Sequence, residues 1–219
     1  MNTNQSPIKI MMLSIIALIV IAAAALFFIR PMLIKKTLPA PIVIDTAEQP
    51  TLGSPTAKIH IVAFEDLKCS NCARFNREMM PHIKKEFIDK NIANYTLINL
   101  AFIEGSMPAA NAARCIYKQN PALFFDFTDY IFQNQPPETE NWATVPTLLN
   151  YASHIKGIDT NALAQCMIQS PYDQFIQNNL SIAKKAMGAE IATPTLFING
   201  VRVTPLTESQ IDKVIEAVK

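Results

Sequence analysis

Residues 58–75, KIHIVAFEDLKCSNCARF, constrain this chain more than any other stretch. The first seven, 58–64, are rich in branched apolar residues and follow turn formers, so they read as a buried strand. From Ser70 the period changes. Cys72, Phe75, Met79, Ile83 and Phe87 recur every three or four residues, which puts them on one face of a helix running to about residue 90. Cys69 therefore precedes a helix and Cys72 lies in its first turn. Pro81 lacks an N–H and is expected to kink the helix over residues 77–81. A second strand is expected over 95–100. Strand, helix and strand in that order suggest a parallel pair joined by a crossover.

Beyond this unit, residues 108–187 carry five helical patterns separated by proline or glycine. Strand patterns return at 195–198 and 201–203 around Asn199-Gly200, the strongest short-range hairpin signal. A last helix starts at a Thr207/Gln210 capping box and carries Ile211, Val214, Ile215 and Val218 on one face. The order is thus β-α-β, a helical block, then β-β-α. The clustered Phe124, Phe125, Phe127, Tyr130 and Phe132 read as helical core, and Trp142 is assigned no role.

Residues 10–29, IMMLSIIALIVIAAAALFFI, contain Ser14 as their single polar member. A helix of that length spans the roughly 30 Å hydrocarbon core of a bilayer. Residues 1–30 are expected to form an uncleaved membrane anchor, the alternative being a signal peptide cleaved near Ala23-Ala24-Ala25. Arg30, Lys35 and Lys36 follow the run while only Lys9 precedes it, a weak charge bias against export of the domain behind it. Residues 31–55 hold five prolines (Pro31, Pro39, Pro41, Pro50, Pro55) and read as a semi-rigid linker. A formal net charge of +1 points to no nucleic-acid partner.

Four cysteines are present: Cys69, Cys72, Cys115 and Cys166. Three readings of the close pair compete. A zinc site needs four ligands, usually as two close pairs, but there is one such pair, and His60, His82 and His154 lack pair spacing; no metal is expected. A staple between Cys69 and Cys72 closes so short a loop that it stabilises little. A redox pair uses the position itself. The unpaired N–H groups and positive dipole end at a helix start favour a thiolate at Cys69, expected to be exposed, while Cys72 shares the apolar stripe and is buried.

The stretches GSPTAKIHIVAFEDLKCSNC, FNREMMPHIKKEF and GAEIATPTLFINGVRV resemble the DsbA-like thiol–disulfide oxidoreductases of the thioredoxin superfamily. The likeness covers about three quarters of the chain. It implies an α/β thioredoxin fold (56–105 and 188–219) with an inserted helical domain (106–187), here behind a transmembrane helix. In that family a cis-proline lies against the active-site disulfide, which by resemblance assigns Pro194, preceded by Thr193. Ser70 and Asn71 depart from the family's frequent proline and histidine or tyrosine. With no charge between the cysteines, a milder oxidant than the strongest family members is expected. Relatives place an acid beneath the buried cysteine to shuttle its proton; Glu65 and Asp66 are the candidates, solvated loop carboxylates being the alternative. Cys115 and Cys166 lie on apolar helical patterns; two buried thiols are one reading, and an even count in an exported protein favours a structural disulfide.

The expected function is a membrane-tethered thiol–disulfide oxidoreductase outside the cytoplasm of a bacterium, with no cofactor of its own. It would act on thiols of exported proteins and be reoxidised by a quinone-linked membrane partner. A reductase or isomerase using the same pair, and a membrane-anchored assembly factor without turnover, are the alternatives.

Overall fold

The computed structural model describes Met12, residues 15–21 and residues 38–219. Residues 15–21 are helical and exposed. The rest of the expected membrane-spanning run lies outside the described residues, among which no helix is long and apolar enough to cross a membrane.

Residues 39–219 form a separate unit built on five strands, β1 (Thr51–Leu52), β2 (Ile59–Asp66), β3 (Ala93–Leu100), β4 (Thr195–Ile198) and β5 (Val201–Arg202), in a sheet of order β1-β3-β2-β4-β5. β2 and β3 run parallel in continuous register from Ile59 opposite Ala93 to Asp66 opposite Leu100. Every residue of β3 is buried, as in a sheet covered on both faces. On one face Val62, Phe64, Ile98, Leu100 and Phe197 pack against Ala183 of a late helix. β4 pairs antiparallel with β2, and β5 with β4. Their turn holds Asn199 at φ 46° and Gly200 at φ 80°, the left-handed pair that a two-residue hairpin demands. Gly200 is also required by proximity: a Cβ there would lie 2.1 Å from the Ile42 carbonyl oxygen. The Ile42 N–H donates to the Gly200 carbonyl at 3.0 Å, tying residues before the sheet to its edge.

The linker expected over 31–55 contains a strand. β1 (Thr51–Leu52) pairs antiparallel with β3, Thr51 opposite Thr96. Two residues between prolines and glycine are too few to show an alternating pattern, so the pairing has no sequence signature.

The helix after β2 breaks where Pro81 requires it. α1 (Ser70–Glu78) ends at Met79, and α2 (Met80–Ile83) restarts with Pro81 in its first turn. Proline has no N–H to give the Arg77 carbonyl, and its ring crowds that group. A π-helical turn, Lys84–Ile88, follows directly, with Asp89 N–H bonded to the Lys84 carbonyl five residues back. Break and turn move two positions of the buried face by one residue, while Ile83 between them stays buried. Met80 and Ile88 are buried where unbroken periodicity predicted Met79 and Phe87, which are only half-buried.

Five helices fill the block between the two halves of the sheet: α3 (Met107–Gln119), α4 (Leu123–Asn134), α5 (Val145–Ser153), α6 (Thr160–Gln169) and α7 (Asp173–Met187). A disulfide between Cys115 and Cys166, with Cα atoms 6.1 Å apart, ties α3 to α6. α8 (Glu208–Val218) starts at Thr207, whose hydroxyl accepts from the Gln210 N–H at 3.2 Å.

Candidate active site

Cys69 is the N-cap of α1, with extended backbone (φ −71°, ψ 121°) and its sulfur in the place of a capping oxygen. Sγ accepts from the Cys72 N–H at 3.4 Å. Opposite, Thr193 brings its carbonyl oxygen within 3.6 Å of the same sulfur, on a loop shaped by a cis Thr193–Pro194 bond. The Thr193 hydroxyl is buried with no fixed partner among the described residues. A second cis bond, Thr204–Pro205, lies beyond the hairpin.

The two sulfurs are driven apart in acidity. The Cys69 thiol falls from its ordinary value of 9.0 to about 6. The largest cause is the hydrogen bond from the Cys72 thiol; the Thr193 side chain and the backbone N–H groups of Cys72 and Asn71 add to it, against the opposing effect of burial. Cys72 moves the other way, well above 9.0, chiefly because burial penalises its thiolate, with Cys69 and Glu65 adding to the rise. At neutral pH this arrangement gives one thiolate and one thiol.

Cys69 is not the exposed sulfur expected from a helix start: it is 4 % exposed, against 0 % for Cys72. The cover comes from distant segments. Thr193 closes one side, and Gln135, just after α4, donates through Nε2 to the Cys69 carbonyl at 3.0 Å. Ser70 and Asn71 remain exposed. Asn71 turns its amide oxygen to Arg74 Nη2 at 3.0 Å and contributes only its backbone N–H to the sulfur. The Ser70 N–H donates to a Glu138 carboxylate oxygen at 2.7 Å.

Glu65 and Asp66 are neighbours in β2 and so point to opposite faces of the sheet. Glu65, 0 % exposed, accepts from Asn76 Nδ2 at 2.5 Å and from the Tyr95 hydroxyl. Asn76 also donates to the Cys72 carbonyl at 3.1 Å, which bridges the acid to the buried cysteine's turn. Burial pushes the Glu65 carboxyl up to about 8 despite those two donors, so it holds a proton at neutral pH. Asp66 serves the surrounding backbone instead. Its oxygens accept from Lys68 N–H (2.8 Å), Phe102 N–H (3.1 Å), Ile103 N–H (3.1 Å) and the Ser106 hydroxyl (2.9 Å), pinning the loop after β3 to the turn before Cys69.

His60 bonds Asn94 and His82 bonds Asp212, both away from the cysteines. Among the described residues, no group of three or more His, Cys, Asp or Glu is placed to hold a metal ion.

Residues 45–217 match the thioredoxin family. The chain is 32 % identical over 152 residues to disulfide bond formation protein D of Bacillus subtilis, covering 69 % of this chain and 68 % of that protein. The chain belongs to the DsbA-like thiol–disulfide oxidoreductases. Among solved structures it resembles Chlamydia trachomatis DsbA (31 % identity, TM-score 0.74, 82 % of this chain and 96 % of that one). Oxidised BdbD of Bacillus subtilis is similar in the same way (27 % identity, TM-score 0.76, 83 % and 98 %). As in any DsbA-like enzyme, the chemistry is exchange between protein thiols and disulfides.

Asn76, Tyr95, Gln135 and Glu138 were not singled out from the sequence. Asn76 carried a signal, since it lies four residues after Cys72 on the buried stripe, where a polar side chain needs a partner. Tyr95 looked like any strand aromatic. Gln135 and Glu138 are loop residues whose relation to Cys69 exists only in the fold.

Proposed function

We propose that this chain is a membrane-tethered oxidoreductase that introduces disulfides into exported proteins through Cys69-Ser70-Asn71-Cys72. The observation that carries the reading is the opposed acidity of two sulfurs within one helix turn, Cys69 as N-cap thiolate and Cys72 as buried thiol. The apolar run 10–29 supports the tether, and the bacterial relatives support a catalytic domain outside the cytoplasm.

In the oxidised enzyme a substrate thiolate attacks Cys69 Sγ. The Cys69–Cys72 bond breaks, its electron pair leaves on Cys72, and a mixed disulfide joins the substrate to Cys69. Cys72 is buried and keeps its charge poorly, so it takes a proton; Glu65, which holds one and reaches the Cys72 turn through Asn76, is the group to supply it. The substrate's second thiolate then attacks the substrate sulfur of the mixed disulfide. Cys69 leaves as the thiolate that its cap stabilises, and the substrate carries away a new disulfide. Two electrons remain on the enzyme. A quinone-linked membrane partner accepts them and restores the Cys69–Cys72 bond. Thr193 lies against Cys69 Sγ, and with Pro194 it lines a pocket beside Asn71 and Phe75.

Equilibration of the Cys69–Cys72 couple against glutathione buffers tests the direction. A couple that is reduced by ordinary glutathione mixtures supports the oxidase. A potential near that of a reducing thioredoxin, about −270 mV, overturns it in favour of a reductase or isomerase working through the same pair.

A further inference from the structure

The start of α1 has three unpaired N–H groups, and they are divided between two anions. Those of Asn71 and Cys72 serve Cys69 Sγ, whereas that of Ser70 donates to Glu138 at 2.7 Å. Glu138 is half-buried, and among the described residues no lysine or arginine lies within ion-pair distance of it. The nearby cations are engaged elsewhere. Lys68, which lines the same cleft, gives its Nζ to the Glu104 carbonyl at 2.7 Å, and Arg74 is held by Asn71. A carboxylate with no ion-pair partner among the described residues thus shares a helix terminus with the sulfur that must carry negative charge.

We propose that Glu138 is a positioning residue that holds the redox turn through the Ser70 N–H and, by its charge, makes this protein a weaker oxidant. The inference deepens the function proposed above and rests on Cys69 as the exchanging sulfur. In the disulfide form Glu138 is the one anion at the helix start, and the positive end of the dipole favours it. Reduction adds a second anion, the Cys69 thiolate, at the same terminus. The repulsion exists only in the reduced form, so it opposes reduction. In glutathione the reaction is enzyme disulfide plus two glutathione thiols giving enzyme dithiol plus glutathione disulfide. The Cys69–Cys72 bond breaks, one glutathione disulfide bond forms, and the Cys69 proton is released to water. Glu138 holds this equilibrium toward the enzyme disulfide. Gln135, which anchors the same segment to the Cys69 carbonyl, keeps the carboxylate in place.

The test is Glu138→Gln in the full-length chain, which keeps an acceptor for Ser70 and removes the charge. The equilibrium constant for reduction by glutathione is expected to rise about threefold to tenfold, or about 15 to 30 mV at 29.6 mV per tenfold for a two-electron couple. The midpoint of Cys69 alkylation against pH is expected to fall by about half to one pH unit. Other titratable groups around the site, Lys68, Arg74, Glu104 and the buried, protonated Glu65, are unchanged by the substitution. Both effects should largely persist in high salt, because a partly buried pair is screened much less than an exposed one. A purely structural cap makes the opposite forecast: Glu138→Gln behaves as wild type and only Glu138→Ala disturbs the site. Wild-type values for Glu138→Gln, with a normal low midpoint in the parent, overturn this inference alone. A parent with no low-midpoint thiol, or exchange surviving in Cys69→Ser, overturns the function it rests on.

Discussion

The acidity of Cys69 depends most on a single partner, the thiol of Cys72. Cys72→Ala removes that donor while leaving the backbone N–H groups, the Thr193 contact and the helix dipole in place. A hydrogen bond to a charged group contributes about 1.5 to 3 kcal/mol. At 1.36 kcal/mol per pH unit, its loss should raise the midpoint of Cys69 from about 6 to roughly 7–8. At pH 7 the thiolate fraction then falls from about nine tenths to between about a half and a tenth. The assay is the rate of iodoacetamide alkylation of reduced protein against pH, read alongside thiolate absorbance at 240 nm. An unchanged midpoint in Cys72→Ala would refute the reasoning, because the backbone and dipole alone would then account for the low value.

Glu65 and Cys69 should impose opposite pH dependences on the stability of the reduced protein. Burial raises the Glu65 carboxyl to about 8, so its contribution is full below about 4.5 and is lost as pH rises toward 8, by at most about 1.4 kcal/mol per pH unit. Urea unfolding of Glu65→Gln across that window should show the decline removed. Cys69, lowered to about 6, contributes stability that is lost as pH falls through 6 and is full only above 9. Replacing both Cys115 and Cys166 by serine opens a loop with a sequence separation of 51 and should cost about 4 kcal/mol, lowering Tm by about 10 °C, while the alkylation profile of Cys69 stays unchanged. Gly200→Ala places a Cβ against the Ile42 carbonyl in a left-handed turn; it should destabilise the unit and speed hydrogen exchange at the Ile42 and Gly200 amides before those of β3.

Local signals in the sequence reached as far as local causes. The apolar run into Cys69, the Asn199-Gly200 turn and the Thr207 cap each depend on neighbouring residues, and each element stands within a few residues of its expected place. Of the misreadings, two trace to distant segments and one to a local change of helical period. Cys69 is buried because Thr193 and Gln135 close over it, 124 and 66 residues away. Thr51–Leu52 is a strand because β3 offers it an edge. The π-helical turn at Lys84–Ile88 moves the buried stripe by one residue, and a fixed period of 3.6 cannot register such a shift. The separation of Glu65 from Asp66 followed from strand alternation alone, but their different partners, Tyr95 and Asn76 for one and the loop after β3 for the other, required the fold.

Exchange itself is the most direct test of the account. The oxidised full-length protein is mixed with a reduced, unfolded protein containing two cysteines, and disulfide formation is followed beside the Cys69→Ser and Cys72→Ala variants. The account predicts rapid oxidation by the parent and none by Cys69→Ser. Cys72→Ala, loaded at Cys69 with glutathione as a mixed disulfide, should transfer the glutathione to a substrate thiol once, with Cys69 leaving as its thiolate, and then stop. Oxidation by Cys69→Ser at the rate of the parent would contradict it.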